Sequence, residues 1–125
     1  MQQVLIDACG WGACMDASLN VELELETLLG PCEWIVLSCV AEELHRLQTE
    51  RGRTKPLLLD MLGQKSTHVS AAATHHTDDA IVEYARRTGC TTLTVDTALK
   101  RRLYDANLQI VEVRQNKRLH LVEAL

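Results

Sequence analysis

The sequence predicts an α/β fold in which a mostly parallel sheet of four to five strands is flanked by helices. Short apolar runs alternate along the chain with segments of helical periodicity, an order that is typical of parallel sheets. Two of these runs end in an aspartate, at Asp7 and Asp96, as strands do when they reach a ligand-binding edge. The 125 residues are 46% hydrophobic and include no Phe, which suits one domain, residues 1–125, with an aliphatic core.

The first half of the chain alternates strand and helix patterns. Residues 19–25 alternate apolar and acidic side chains as a strand would, but the length of the segment and its Leu and Glu content favour a helix that ends at Gly30. The GWG at residues 10–12 lacks the third glycine of a nucleotide-binding loop and is expected to form a turn after the first strand. The predicted elements are a strand at 3–6, a helix at 17–29, a strand at 34–37, a helix capped by Ser38, and a helix from Pro56 to Gly63.

The second half of the chain continues the same alternation after an irregular segment. Residues 64–76 contain Ser, Thr and His without a regular pattern, apart from a short strand near Val69. The predicted elements are a helix capped by Thr77 or Asp78 and ending at Gly89, a strand at 91–95, a helix at 97–106, a strand at 109–113 and a short strand at 119–122.

The sequence indicates a cytoplasmic protein that does not contact membranes. No apolar run is long enough to span a bilayer, and the N-terminus lacks the basic and apolar segments of a signal peptide. The five cysteines form no CxxC pair, so buried reduced thiols are favoured, with a bridge between Cys9 and Cys14 as the alternative.

Charge is distributed unevenly along the chain. The formal net charge is −4, which argues against binding nucleic acid by bulk electrostatics alone. From residue 86 onward there are eight basic and four acidic residues, a surplus of four positive charges, so residues 1–85 carry about eight negative ones. An acidic site beside a basic flank suits a metal-dependent enzyme that acts on a polyanion, although an ordinary solvated surface would look the same.

Acidic residues from distant parts of the sequence are predicted to meet at one edge of the sheet. Asp7 and Asp96 each end a strand, and the carboxyl ends of parallel strands share the edge where ligands bind. Glu43 lies one turn into the helix after the second strand, which begins at that edge. Asp78 and Asp79 open a later helix, and taken alone they would be explained by helix capping.

Carboxylates gathered in this way predict a divalent metal site. Their crowding is costly unless they are protonated, paired or bound to a cation. No Lys or Arg is adjacent in sequence to Asp7, Asp79 or Asp96. Oxygen ligands suit Mg²⁺ or Mn²⁺, and two such ions about 4 Å apart can activate water for phosphodiester cleavage.

Four stretches of the sequence together resemble the PIN domain of metal-dependent endoribonucleases. They are VLIDA, CVAEELHRL, TDDAIVEYA and TLTVDTALKRRL, and they occur in the expected order over almost the whole chain. The chain is similar in particular to small PIN proteins of ribosomal-RNA processing, and VapC-type toxins share the acidic pattern. The resemblance implies a PIN-like three-layer sandwich, an RNA substrate and Mg²⁺ or Mn²⁺ as cofactor. It is also compatible with a homodimer and with an antitoxin or ribosome-assembly partner.

The resemblance also implies which residues form the site. The implied catalytic and metal-binding residues are Asp7, Glu43, Asp79 and Asp96, with Asp78 assisting or capping its helix. Glu42 is the alternative to Glu43 if the helix is shifted by one residue. The family usually has Thr or Ser and Asn after its first Asp, whereas this chain has Ala8 and Cys9, so one supporting hydrogen bond is expected to be missing. Reduced activity, or a substitute such as Thr94 or Thr97, is the expected consequence.

Four residues are candidates for contact with RNA. Lys100, Arg101 and Arg102 could contact phosphates, with a solvated helix face as the alternative for at least one of them. Trp11 follows Asp7 at the presumed active edge and could stack on a base, with the core or a subunit interface as the alternative.

The sequence therefore predicts an endoribonuclease that uses Mg²⁺ or Mn²⁺ to activate water against RNA, in RNA processing or as a toxin. The alternative is a catalytically weak or inactive PIN-fold module for RNA binding or assembly, which the Ala8–Cys9 departure and the acidic net charge favour. A phosphoacceptor signalling domain is set aside, because that class has its acidic pair after the first strand.

Overall fold

Strands and helices alternate along the chain in the computed structural model, which describes residues 2–51, 56–70, 76–115 and 117–125, with only the backbone at 48–51 and 56–59. The elements are β1 (Gln2–Ile6), α1 (Ala8–Asp16), α2 (Val21–Leu29), β2 (Cys32–Leu37), α3 (Ser38–Arg51), α4 (Pro56–Lys65), β3 (Ser66–Val69), α5 (Thr77–Thr88), β4 (Thr91–Leu93), α6 (Thr97–Asp105), β5 (Ile110–Arg114) and β6 (Arg118–Leu121).

The six strands form one sheet in the order β3-β2-β1-β4-β5-β6. All neighbours pair in parallel except β5 and β6, which are antiparallel. The predicted α/β class and mostly parallel sheet are confirmed, but the sheet has six strands instead of four to five. The sixth strand is β3, which corresponds to the short strand expected near Val69. It lies at an edge and is only partly buried, and its sequence STHV lacks the apolar run of a central strand.

The core lies on both faces of the central strands. In β1, the side chains of Val4, Leu5 and Ile6 are all fully buried although successive residues point to opposite faces. This burial requires helices on both sides of the sheet, as in other parallel sheets. The central position of β1 between β2 and β4 therefore fixes Asp7, the next residue, in the middle of the carboxyl edge.

Helix α1 occupies the segment for which the sequence predicted a turn. A glycine stands inside this helix because α1 packs closely against the sheet: a Cβ atom at Gly10 would lie 2.5 Å from the carbonyl oxygen of Leu93. Glycine is unfavourable inside helices and therefore hides the helical pattern, but here it permits this contact. A Cβ atom at Gly12, two residues later, would have no neighbour within 4 Å in the described part of the chain, its own helix backbone aside.

The ends of two other helices also differ from the predicted ones. Helix α2 begins at Val21, since Ala17 belongs to the end of α1, and the side chain of Asn20 accepts a hydrogen bond from the Leu23 amide at 3.2 Å. Helix α4 continues past Gly63 to Lys65. None of the helices in the described part of the chain is long and apolar enough to cross a membrane.

All five cysteines are free thiols, so the alternative bridge between Cys9 and Cys14 is absent. Burial raises the pKa of Cys9 to about 11 and that of Cys14 to about 12. Both thiols are therefore protonated at neutral pH and act as weak hydrogen-bond donors.

Candidate functional site

The carboxyl edge of the sheet gathers acidic residues from four parts of the chain. Asp7 follows β1 and Asp96 follows β4, the strand that pairs with β1 in parallel. Glu43 lies on α3, which starts directly after β2, the other neighbour of β1. Asp78 lies in the first turn of α5. The charges of these four carboxylates act on one another across the edge.

Asp7 is a buried carboxylate held by two donors. Its exposure is 4%, and its Oδ2 atom accepts hydrogen bonds from Thr94 Oγ1 at 2.7 Å and from Cys9 Sγ at 2.8 Å. Thr94 Oγ1 in turn accepts a hydrogen bond from the Asp96 amide at 3.2 Å. The expectation that Cys9 leaves a supporting hydrogen bond missing is therefore wrong, since its protonated thiol supplies one. Thr94, one of the two substitutes considered, supplies the other.

Asp96 has a structural role as well as its place at the edge. It is the N-cap residue of α6, and its Oδ1 atom accepts a hydrogen bond from the Leu99 amide at 2.9 Å. This bond satisfies one of the free amides of the first helical turn and fixes the orientation of the carboxylate. Asp7 and Asp96 are thus both held in place before any ligand binds.

Glu43 and Asp78 respond to the negative charge of the site. Burial raises the pKa of Glu43, and the charge of Asp7 raises it further. Asp78 and Asp96 act on Glu43 in the same direction. Burial also raises the pKa of Asp78, followed by the charges of Asp7 and Asp96, against an opposing contribution from Arg102. The four carboxylates repel one another, and a bound cation would relieve that repulsion.

Asp78 and Asp79 differ in their surroundings. Arg102 Nη1 on α6 lies 2.8 Å from Asp79 Oδ1, and this hydrogen-bonded ion pair lowers the pKa of Asp79. The structure thus brings Asp78 to the acidic edge and pairs Asp79 with Arg102, whereas the sequence-based assignment gave Asp79 the main role. Capping by Thr77 or Asp78 is wrong, because His76 occupies the N-cap position and makes no side-chain cap bond. Both aspartates lie in the first turn, where negative charge is favourable.

A family model described as a PIN-like domain matches residues 4–116. This chain belongs to the PIN-like domain family. The solved structure of the PIN domain endonuclease Utp24 is similar, with 20% sequence identity, a TM-score of 0.81, and coverage of 98% of this chain and 92% of that one. At this identity the likeness establishes the PIN fold alone. None of the curated proteins compared matches the chain. The resemblance to the PIN family and the three-layer fold that it implied are confirmed.

The carboxylate oxygens at the carboxyl edge of this PIN domain are chemically suitable ligands for a hard divalent cation. Asp7, Glu43, Asp78 and Asp96 share one edge, and none of them forms an ion pair with a residue that the structure describes, although the charges of Arg46 and Arg102 partly oppose the raised pKa values of Glu43 and Asp78. Carboxylate oxygens are the ligands that Mg²⁺ and Mn²⁺ prefer. Among the residues that the structure describes, no group of three or more His, Cys, Asp and Glu side chains is already arranged as a ligand set. The fixed carboxylates are Asp7 and Asp96, so Glu43 and Asp78 would have to approach them to complete a metal site.

The PIN fold places the four candidate RNA contacts in different environments. Trp11 is fully buried against Trp34, with the ring centroids 5.8 Å apart, so base stacking by Trp11 is wrong and the core alternative is correct. Lys100 Nζ lies 3.3 Å from Glu112 Oε2 in a mostly buried pair. Arg102 is paired with Asp79, and Arg101 is exposed.

Proposed function

We propose that this PIN domain is an endoribonuclease that cleaves RNA phosphodiester bonds with the help of Mg²⁺ or Mn²⁺. The observation that carries this proposal is the cluster of Asp7, Glu43, Asp78 and Asp96 at the centre of the carboxyl edge. Membership of the PIN-like family and the likeness to a PIN domain endonuclease support it.

The acidic residues at the edge would contribute differently to metal binding, because some are held in a fixed orientation and others are not. Asp7 and Asp96 provide fixed carboxylates, because hydrogen bonds orient both of them. Glu43 and Asp78 are partly exposed, and a bound cation would have to draw them towards Asp7 and Asp96. When bound, the divalent cation supplies an activated water and neutralises charge on the phosphate. Asp79 remains a candidate ligand, and its ion pair with Arg102 would have to open for it to take part.

Basic residues on α6 would help to hold the substrate. Arg101 is exposed and Arg102 is about half exposed, so both are available to phosphates. Lys100 is the weakest candidate of the three, since its ammonium group already pairs with Glu112.

Cleavage of single-stranded RNA in Mn²⁺, with wild type compared with Asp7→Asn, tests the proposal. The substitution keeps the size of the side chain and removes its charge, so cleavage should fall to the level seen in EDTA. Purifying both proteins in parallel controls for contaminating nucleases, and equal unfolding midpoints would show that both are folded. Cleavage that is equal in the variant, or that persists in EDTA, would contradict the proposal.

A catalytically weak RNA-binding or assembly module is the second candidate. The absence of a ready-made ligand group among the described residues favours it. Calorimetric titration with Mn²⁺ separates the two functions, because the nuclease requires binding that Asp7→Asn abolishes, while an assembly module does not.

The cellular setting of the proposed nuclease is either RNA processing or a toxin–antitoxin pair, in the cytoplasm. A small antitoxin-like gene beside this one would favour the toxin, and ribosome-assembly genes would favour RNA processing. Light scattering tests the homodimer that the family resemblance suggests.

A further inference from the structure

An open cleft lies along α5, with Arg102 of α6 in its lining, next to the acidic edge. Its volume is about 460 Å³. It is lined by Asp79, Val82, Glu83, Arg86, Arg87 and Arg102. Three of these six residues are arginines, and the acidic members are only two, so the cleft has an excess of positive charge in a protein whose net charge is −4.

Within the described part of the chain, two of the three arginines have no acidic partner. Arg102 pairs with Asp79, but neither Arg86 nor Arg87 forms an ion pair with any residue that the structure describes. The guanidinium carbon of Arg87 lies 5.4 Å from the centre of the Tyr84 ring, a cation–π contact that positions the group without neutralising it. Both arginines are exposed and can therefore receive an anion from solvent.

One end of the cleft lies beside the proposed catalytic edge. Asp79 lines the cleft and directly follows Asp78, which belongs to the acidic cluster. Arg86 is seven residues further along α5 than Asp79, which corresponds to about 11 Å of helix. An RNA strand with its scissile phosphate at the acidic edge would therefore place its neighbouring phosphates along the cleft.

We infer that this cleft binds the phosphodiester backbone of the RNA substrate, with Arg86 and Arg87 as positioning residues. The inference rests on the proposed function. It adds Arg86 and Arg87, which lie outside the four sequence stretches that resemble PIN domains. The planar guanidinium forms two parallel hydrogen bonds to a phosphate, which fixes the position of the strand as well as adding affinity. Contacts to phosphate carry no base information, so the cleft sets the register of the strand and not its sequence preference.

Fluorescence anisotropy with a fluorescein-labelled single-stranded oligouridylate in EDTA tests the cleft without cleavage. The double variant Arg86→Gln, Arg87→Gln should bind at least about tenfold more weakly than wild type. The slope of log affinity against log salt should become shallower by about 1.4, the value for two lost phosphate contacts on a single strand. The matched control is Arg114→Gln, Arg118→Gln, which removes the same charge from two exposed residues on β5 and β6. This control should bind as wild type does.

A second variant distinguishes the charge of the two arginines from the hydrogen-bonding geometry of their guanidinium groups. Because it is a conservative change, it also keeps the test valid if the glutamine variant fails to fold. Arg86→Lys, Arg87→Lys keeps both charges, so it should retain the salt slope of wild type while binding less tightly, because lysine lacks the fork of donors. Equal weakening in the cleft and control variants would overturn the inference, as would wild-type binding by the cleft variant or a failure of wild type to bind RNA.

The inference and the proposed function fail in different experiments. RNA binding through the cleft in a protein without metal-dependent cleavage would support the inference and contradict the nuclease. Mn²⁺-dependent cleavage together with unchanged RNA binding by the cleft variant would overturn the inference alone.

Discussion

At the scale of single residues, Asp7 depends on donors from two directions. Thr94 and Cys9 both donate to its Oδ2 atom, and the Thr94 bond joins residues that are 87 positions apart in sequence. A buried carboxylate without such donors would be costly. The sequence identified Asp7 because an aspartate after an apolar run is a local signal. It offered Thr94 only as one of two substitutes and missed the Cys9 thiol, because the strand that places Thr94 beside Asp7 becomes a neighbour only in the folded sheet.

Replacing Cys9 with alanine should weaken metal binding. The change removes one of the two donors that orient the Asp7 carboxylate, and losses of this kind typically reduce metal affinity by about 10- to 100-fold. Mn²⁺ titration by calorimetry measures the effect. Cys9→Ser is the matched control, because its hydroxyl can still donate, and it should bind Mn²⁺ nearly as wild type does. Wild-type affinity in Cys9→Ala would show that the thiol does not support the site.

At the scale of secondary-structure elements, the differences from the prediction arise where tertiary contacts outweigh local propensity. Helix α1 was not predicted, because Gly10 and Gly12 oppose a helix in isolation. The roles of Asp78 and Asp79 were not separable from sequence, since their assignment depends on the rotation of α5 and on Arg102 from α6. Strands β1 and β2 were predictable because their buried runs, residues 4–6 and 34–37, are continuous and apolar.

Alanine at Gly10 should destabilise the fold, and alanine at Gly12 should not. A Cβ at Gly10 would be 2.5 Å from the Leu93 carbonyl oxygen, and overpacking of this kind typically costs about 1–3 kcal/mol, more than the helix propensity that alanine adds. A Cβ atom at Gly12 would meet no described residue within 4 Å outside its own helix backbone, so Gly12→Ala should be neutral or stabilising by up to about 1 kcal/mol. Urea unfolding of both variants measures these changes. Equal stability of the two would contradict the close approach of α1 to the sheet.

At the scale of the whole molecule, the shifted pKa values of the acidic residues at the site make the stability of the fold depend on pH. A carboxyl group whose pKa is higher in the folded than in the unfolded chain destabilises the fold once it ionises. This cost develops as the pH rises between the two pKa values and is present in full above the higher one. Glu43 and Asp78 are groups of this type, whereas the lowered pKa of Asp79 stabilises the fold at neutral pH and that contribution is lost in acid.

Glu43→Gln should therefore be more stable than wild type at neutral pH in EDTA. The gain should be below about 1 kcal/mol, because Glu43 is partly exposed and solvent screens its repulsion with the other carboxylates. It should fade as the pH is lowered through the raised pKa of Glu43, where the wild-type side chain becomes protonated. Urea unfolding at a series of pH values measures this, with the exposed neighbour Glu42→Gln as control.

Asp79→Asn should be less stable than wild type at neutral pH, since it removes the ion-pair partner of Arg102.

A loss of stability in Glu43→Gln at neutral pH would mean that repulsion between the carboxylates does not destabilise the fold without a cation.

The position of β1 in the sheet also has a consequence for the order in which the protein becomes functional during synthesis. Val4 and Leu5 pair on one side with β2, about 30 residues later, and on the other side with β4, about 87 residues later. Chains fold as they leave the ribosome, N-terminal end first. Until residues 91–94 have emerged, Asp7 lacks the Thr94 donor, and the site also lacks Asp96 and the whole of α6. A growing chain therefore cannot assemble the proposed nuclease site before α6 (Thr97–Asp105) has emerged, and the activity proposed for it would begin only after that point.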